Sequence, residues 1–303
     1  MNIFIAGATG VVGRRLVPLL VDGGHHVTAA TRSAERAALL KASGAHAIVV
    51  DLFDAPALRR AVVGHDTVIN LATHMPPLDW RALLPGAWRA NDRMRRVASA
   101  HLVDAAIGAR ARRFIQESFA PAYPGRGAAW IDEDVALEPA RYNRSIADAE
   151  RSARRFTASG GAGVVLRFAS FYGPDAAQTR DLAAAIRKGW APLPGRADAF
   201  ISSVSHDDAA AAVAAALGVP AGAYNVADDE PLSHREYADS LARILGAVAP
   251  PRIPPAWTRH LMGSVGRLLA RSQRICNRKL KGESDWAPRF PSAREGWRAI
   301  PWT

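Results

Sequence analysis

The sequence predicts an α/β fold, a doubly wound parallel sheet carrying a smaller, mostly helical C-terminal lobe. Three observations predict it. Short apolar runs alternate with helix-length amphipathic segments through the first half of the chain, the pattern of a parallel sheet covered on both faces. A glycine-rich turn joins the first run to the first helix. Beyond Gly173-Pro174 the alternation gives way to helices separated by proline-rich loops. A chain of 303 residues can bury a large core and is long for one compact domain. The expected division is 1–170 with 200–228 for the sheet domain and 171–199 with 229–303 for a substrate lobe.

The first element carries the most information. Asn2-Ile3-Phe4-Ile5 has strand character and runs into Gly7-Ala8-Thr9-Gly10-Val11-Val12-Gly13, after which Leu16, Val17, Leu19 and Leu20 set a helical period. Strand, tight turn and helix in this order form a Rossmann-type dinucleotide cradle. Gly7 permits the turn, Gly10 lets a pyrophosphate approach the backbone, and Gly13 lets the helix pack on the strand. The free N–H groups of the helix start, with Thr9, Val11 and Val12 in the same turn, face the phosphates. Val27 to Ala30 forms the second strand and ends at Thr31-Arg32-Ser33. An acid at this strand end binds the ribose 2′-hydroxyl of NAD, but here the position is Thr31. Arg32, Ser33 and Arg36 supply the charge and donors that a 2′-phosphate requires, so the expected cofactor is NADP(H).

Ala34 to Ser43 reads as a helix, Ala47 to Val50 as a third strand ending at Asp51-Leu52, and Asp54 with Pro56 as a helix start. A fourth strand, Thr67 to Leu71, ends in Ala72-Thr73. A long helix is expected over 91–109, a fifth strand over 113–115 with Gln116-Glu117-Ser118 at its carboxyl edge, a sixth over 163–168 and a seventh over 224–226. Further helices are expected over 181–188 and 234–245, and His206-Asp207-Asp208 reads as the cap of an alanine-rich helix. Ligands in such sheets sit at the carboxyl ends of the strands. The glycine turn, Thr31-Arg32, Asp51-Leu52, Ala72-Thr73 and Ser118 therefore line one rim.

The net charge of +11 comes from arginines scattered along the chain rather than from a basic tail or stripe. With no helix-turn-helix, zinc or aromatic RNA-platform motif beside it, the charge predicts no nucleic-acid partner, although it would attract an anionic cofactor. No segment approaches a membrane span, and the first residues form a strand rather than a leader. Cys276 stands alone, which excludes a disulfide within the chain and a cysteine metal cluster. The expectation is a cytoplasmic protein with a small-molecule substrate, no membrane partner and no metal.

The opening AGATGVVGRRL, Asp51-Leu52, Asn70-Leu71-Ala72, Asn91, Leu166-Arg167-Phe168 through Tyr172-Gly173-Pro174, and His206-Asp207-Asp208 form a set of landmarks. Tyr224-Asn225-Val226 with Glu230-Pro231, and Asn277-Arg278-Lys279-Leu280 through Trp286, extend it to nearly the whole chain. The set resembles the extended short-chain dehydrogenase/reductases, the NAD-dependent epimerase/dehydratase family. The resemblance implies a catalytic Ser or Thr, a Tyr, and a Lys four residues after it. In that set the Tyr moves the proton, the Lys lowers its pKa and holds the nicotinamide ribose, and the Ser or Thr orients the carbonyl. Tyr142-Asn143-Arg144-Ser145-Ile146 occupies the Tyr-x-x-x-Lys segment with Ile146 at the lysine position. Phe119 stands at the Ser/Thr position, with Ser118 one residue early. Tyr142 and Ser118 are the candidate catalytic residues of a degenerate set.

A phenol with a pKa near ~10 is a poor proton shuttle at neutral pH without a cation or buried donor, and isoleucine is neither. Arg144 lies two residues along, on the wrong face to replace the lysine. Hydride transfer itself needs mainly a positioned nicotinamide and an electrophile. The leading expectation is an NADPH-dependent ketoreductase acting on a bulky, largely apolar ketone, with partly substrate-assisted proton transfer. Its pocket material would be Met75, Pro76, Pro77, Trp80, Trp88, Phe119, Tyr123, Trp190 and Trp257; His74 stands where a pocket acid could, but a lone histidine in a loop reads rather as inert. Degenerate members of the wider family resemble tailoring reductases of aromatic polyketides, which implies a place in antibiotic biosynthesis. Two other readings stand beside it. One is a nucleotide-sugar epimerase or dehydratase, with Arg180, Arg187 and Arg252 on the diphosphate; the other is a non-catalytic NADP(H)-binding sensor.

Overall fold

A computed structural model describes residues 1–76, 84, 86–249 and 263–302. Pro77, Trp80, Arg252 and Trp257 lie outside the described residues. At the centre is a seven-stranded sheet in the order β3 (His46–Val49), β2 (His26–Thr31), β1 (Asn2–Ala6), β4 (Thr67–Asn70), β5 (Arg113–Phe119), β7 (Ala162–Phe168) and β11 (Gly222–Val226). Every neighbouring pair is parallel. The chain winds outward from β1 to β3, then crosses back to β4, so the strand order reverses between β1 and β4. A crevice opens there at the carboxyl ends, where the glycine turn leaves β1 and Leu71-Ala72 leaves β4.

The apolar alternation of β1 explains the two layers. Ile3 and Ile5 point into a core shared with α1 (Gly13–Asp22) and α8 (His206–Ala215). Phe4 and Ala6 point into the opposite core, shared with α3 (Ala55–Val62), α5 (Ser99–Gly108) and α6 (Ile146–Ala158). Residues 3 to 6 have no exposed surface, as expected of a strand covered on both faces. A third apolar cluster joins Tyr172, Ile186, Leu232, Tyr237, Leu241 and Trp297. It is built from α7 (Ala177–Arg187), α9 (His234–Ile244) and the last helix, Ala293–Arg298. Three short strand pairs tie these segments to the sheet domain: β8 (Ser170–Tyr172) with β10 (Ser203–Ser205), β9 (Phe200–Ile201) with β12 (Leu232–Ser233), and β6 (Trp130–Ile131) with β13 (Arg274–Ile275). Among the described residues, no helix is long and apolar enough to cross a membrane.

Several elements differ from the sequence expectation for identifiable reasons. The fifth strand runs on to Phe119 because β7 pairs with it residue for residue as far as Phe168. The helix expected over 91–109 is divided into α4 (Arg89–Arg93), a π turn at Met94–Ala98, and α5. A π turn changes the hydrogen-bond step without interrupting the helix, so a 3.6-residue period does not reveal it. Helix α7 starts four residues earlier than expected, at Ala177. The N-cap of α8 is Ser205, whose Oγ accepts the Asp208 N–H at 3.0 Å; His206, Asp207 and Asp208 form the first turn.

Candidate active site

The rim at the β1–β4 switch point is shaped to receive a phosphate-bearing group. Gly7 has φ +85°, and a side chain there would place its Cβ 2.5 Å from the carbonyl carbon of Leu71. At Gly13 a Cβ would come within 2.3 Å of the Gly7 carbonyl oxygen, so only hydrogen lets α1 meet the turn. Gly10 is exposed, and its N–H donates to that same oxygen at 3.0 Å. No side chain caps α1, and its first turn holds no acid. The positive end of the helix is therefore left uncompensated beside Thr9, Val11 and Val12, which suits a pyrophosphate. The other wall is fixed from below: Asn70 Oδ1 accepts the Ala72 N–H at 3.1 Å, while its amide donates to Gln116 and Ser99. Thr73 is exposed beyond it.

The ends of β2 and β3 lie side by side, with Thr31 paired to Val49. Thr31 is buried and its Oγ1 accepts the Ser33 N–H at 3.3 Å. The Ser33 hydroxyl caps α2 (Ala34–Ala42) by accepting the Arg36 N–H at 3.4 Å. Arg32 and Arg36 are exposed, and neither forms an ion pair among the described residues. Asp51 is also exposed, with Oδ1 taken by the Phe53 N–H at 3.0 Å, and Leu52 is buried beside it.

Behind the glycine turn lies a charge cluster that sequence reasoning missed. The Arg15 guanidinium donates to the Val11 carbonyl at 2.9 Å, to Asp207 at 2.5 Å, and to both oxygens of Asp175 at 3.1 Å. Arg14 also pairs with Asp175. His206 Nδ1 lies 3.1 Å from the same carboxylate; burial first, then the charges of Arg15 and Arg14, push this histidine down to about 4, so it is neutral at physiological pH. The cluster joins the first turn of α1 to the loop after β8 and to α8. The Arg14-Arg15 doublet was visible, but the acids it meets are about 160 and 192 positions away.

Tyr142 stands in a single 3-10 turn, Arg141–Asn143, just before α6. Its ring lies 4.4 Å from that of Trp88, tilted by 46°. Burial pushes its phenol up to about 12; Arg271 and Arg95 pull it down without overcoming the burial. Ile146 has no exposed surface in the first turn of α6, and Arg144 is exposed. Phe119 is half-buried at the end of β5. Ser118 is placed differently from a substrate contact. Its hydroxyl is buried and donates to Glu150 at 2.8 Å, and Glu150 is held by Arg167 through two parallel bonds of 2.9 Å each. Arg167 continues to the Tyr123 hydroxyl at 2.6 Å, which donates to Asn225 at 2.9 Å. Tyr123 is thus a member of this closed network, and burial pushes its phenol up to about 12 as well.

A second ion pair joins the buried Arg95 to the half-buried Glu117, and the charge of Arg95 reaches the Tyr142 phenol. Arg95, on the π turn and 3% exposed, donates through Nη2 to Glu117 Oε1 at 3.0 Å. Arg95 Nε and Glu117 Oε2 are buried without a partner among the described residues, as are the side-chain amide of Asn143 and the Ser145 hydroxyl. Arg95 had a readable signal. It falls four residues after Asn91 on the face that continues into Ala98 and Leu102, where a charge is out of place. Of the remaining expected pocket residues, Met75, His74 and Trp190 are exposed and Pro76 is half-buried. The His74 N–H donates to Asn91 Oδ1 at 2.9 Å.

Comparison with known proteins agrees with this geometry. The chain is 35% identical over 309 residues to a 3-diazoavenalumate denitrifying reductase from a Streptomyces species, covering 98% of this chain and 99% of that protein. Its fold matches UDP-glucose 4-epimerase of Thermotoga maritima with UDP-glucose (TM-score 0.79, 20% identity, 98% and 96% of the two chains). It also matches the human epimerase family protein SDR39U1 with NADPH (TM-score 0.78, 19% identity, 99% of both chains). A family model described as NAD(P)H-binding matches residues 7–220, which run from the first glycine of the turn to the loop before β11. The chain therefore belongs to the NAD(P)H-binding family and is an NAD(P)H-dependent oxidoreductase of the short-chain dehydrogenase/reductase fold.

Proposed function

We propose that the chain is an NADPH-dependent reductase of a bulky, largely apolar aromatic substrate, and that the group it reduces is a diazo group. The observation that carries this reading is a half-buried Tyr142 whose phenol is pushed up to about 12, with isoleucine where the cationic partner would stand. When bound, the coenzyme supplies a hydride, and a diazonium R–N2⁺ that receives it becomes R–H with loss of N2, consuming no proton. No group of the chain then has to act as an acid. Tyr142 keeps its proton across the physiological range and offers the substrate a hydrogen-bond donor, with Trp88 providing an aromatic surface beside it. The name of the Streptomyces relative, a 3-diazoavenalumate denitrifying reductase, supports the same chemistry.

Ketone reduction is the second reading, favoured by the epimerase-like fold. It requires a proton on the nascent alkoxide, and a phenol near 12 is a weak source, so a substrate hydroxyl would have to deliver it. The coenzyme preference rests on Thr31, Arg32 and Arg36 at the β2 end, where two exposed guanidinium groups, without an ion pair among the described residues, suit a 2′-phosphate. The third apolar cluster serves, in this reading, as the frame of the substrate lobe. The setting would be cytoplasmic tailoring of an aromatic natural product, such as an antibiotic.

The test is stoichiometry. Purified enzyme is given NADPH with an aryl diazonium or with a panel of aryl ketones, and coenzyme absorbance is followed alongside gas evolution. One N2 per NADPH consumed is the expected result. Alcohol formation from ketones with no N2 from the diazonium would replace the diazo reading by the ketone one.

A further inference from the structure

On the reading above of an aromatic substrate, we propose that Arg95 and Glu117 form a receptor for a phenolic hydroxyl of that substrate. Among the described residues, two arginines that are themselves buried pair with a glutamate, Arg167 with Glu150 and Arg95 with Glu117, and the pairs are built differently. Arg167 and Glu150 close into a fork, with Nε to Oε1 and Nη2 to Oε2 both 2.9 Å. The third corner of that guanidinium is also used, by Tyr123 and the Glu133 carbonyl. Such a pair is finished. Arg95 and Glu117 share one bond, Nη2 to Oε1 at 3.0 Å, which leaves Nε–H and Oε2 unused.

Leaving a buried donor and a buried acceptor unpaired is costly, and more so when the groups are charged. A structural pair would close into the two-bond geometry that guanidinium and carboxylate favour. This one is held open. Arg95 stands in the π turn Met94–Ala98, which gives up regular helical bonding and recurs in proteins at functional sites. Glu117 is fixed in β5 by pairing with Leu166.

The two unused atoms define the group they would accept. It must take a hydrogen bond from Nε–H and give one to Oε2. A hydroxyl does both through one oxygen, whereas a ketone or an ether only accepts and an ammonium only donates. The pair is neutral as a whole, so it offers no net charge to a carboxylate. Arg95 lies near enough to Tyr142 for its charge to act on the phenol, and the Tyr142 ring packs at a tilt against Trp88. The hydroxyl is therefore one carried by an aromatic ring. Held there, it would fix the rotation of that ring relative to Tyr142, which makes Arg95 and Glu117 specificity-determining residues.

Binding of unreactive probes tests this without depending on the reduction chemistry. The NADP⁺-saturated enzyme is titrated with benzoate and with its 2-, 3- and 4-hydroxy derivatives, read by tryptophan fluorescence. A site built to bond a hydroxyl should favour at least one hydroxybenzoate over benzoate by about tenfold or more. Glu117→Gln should cut that preference below about threefold while leaving NADP⁺ affinity within about twofold. The double variant Arg95→Met/Glu117→Gln removes both charges together and should give the same result if the single change leaves a buried cation that impairs folding. No preference among the four probes in the parent enzyme would overturn the proposal, as would a preference that survives the double variant. A loss of NADP⁺ affinity in step with the hydroxyl preference would also overturn it, by giving the pair to the coenzyme. A hydroxyl preference in an enzyme that releases no N2 would leave this receptor standing while removing the diazo reading.

Discussion

Single residues decide the chemistry. Tyr142 keeps its place and loses its partners, and the physical result is a phenol whose acidity falls rather than rises: burial outweighs Arg271 and Arg95. If it serves only as a hydrogen-bond donor, Tyr142→Phe should reduce kcat by less than about tenfold, against the roughly 10²–10⁴-fold expected of a dedicated general acid. The kcat and KM of the variant on its accepted substrate check this. At the β2 end the question is charge. Arg32→Ala should weaken NADPH by about 10–100-fold, the loss expected for a charge-assisted bond, and change NADH by less than about twofold; dissociation constants for both coenzymes decide it. The glycine turn, the threonine in place of an acid and the missing lysine were all legible, because each is a residue type at a fixed spacing. The fate of Ser118 was not. Whether a strand-end hydroxyl faces substrate or Glu150 depends on a residue 32 positions away, and spacing does not report it.

Elements set the precision of the site. The fit of α1 against the glycine turn leaves no room for a methyl group at Gly13, where a Cβ would meet the Gly7 carbonyl oxygen at 2.3 Å. Because backbone rather than a flexible side chain fills that space, Gly13→Ala should push α1 outward, lowering NADPH affinity at least about tenfold together with the melting temperature. Fluorescence titration and thermal unfolding of the same preparation show whether both fall. The strands and most helices could be read from period and caps, as with Asp54, which accepts the Ala57 N–H at 3.0 Å as the expected N-cap of α3. The π turn could not. Its cause is local backbone geometry around Met94 to Ala98, and the apolar pattern on either side continues unbroken.

At the scale of the molecule, the sheet and the C-terminal cluster meet around Asp228, which follows β11 and is 2% exposed. Its N–H donates to the Ser203 carbonyl at 2.7 Å. Burial, reinforced by Asp208, Asp229 and Glu295, raises its carboxyl well above the usual range. The unfolded chain ionises this group near ~4, so the folded state holds the extra proton above that pH, and its stability falls as pH rises from there toward the folded value. Asp228→Asn removes the titration. The melting temperature of the variant should gain on the parent as pH rises above about 4, and a difference independent of pH would refute the assignment. This junction was invisible in the sequence, where Asp228 reads as one acid in a run of three.

Ile146 carries a consequence of another kind. Its seat has no surface in solvent, so Ile146→Lys would bury an ammonium, at a cost of several kcal/mol. The expected outcome of that single change is a lower melting temperature with no gain in activity.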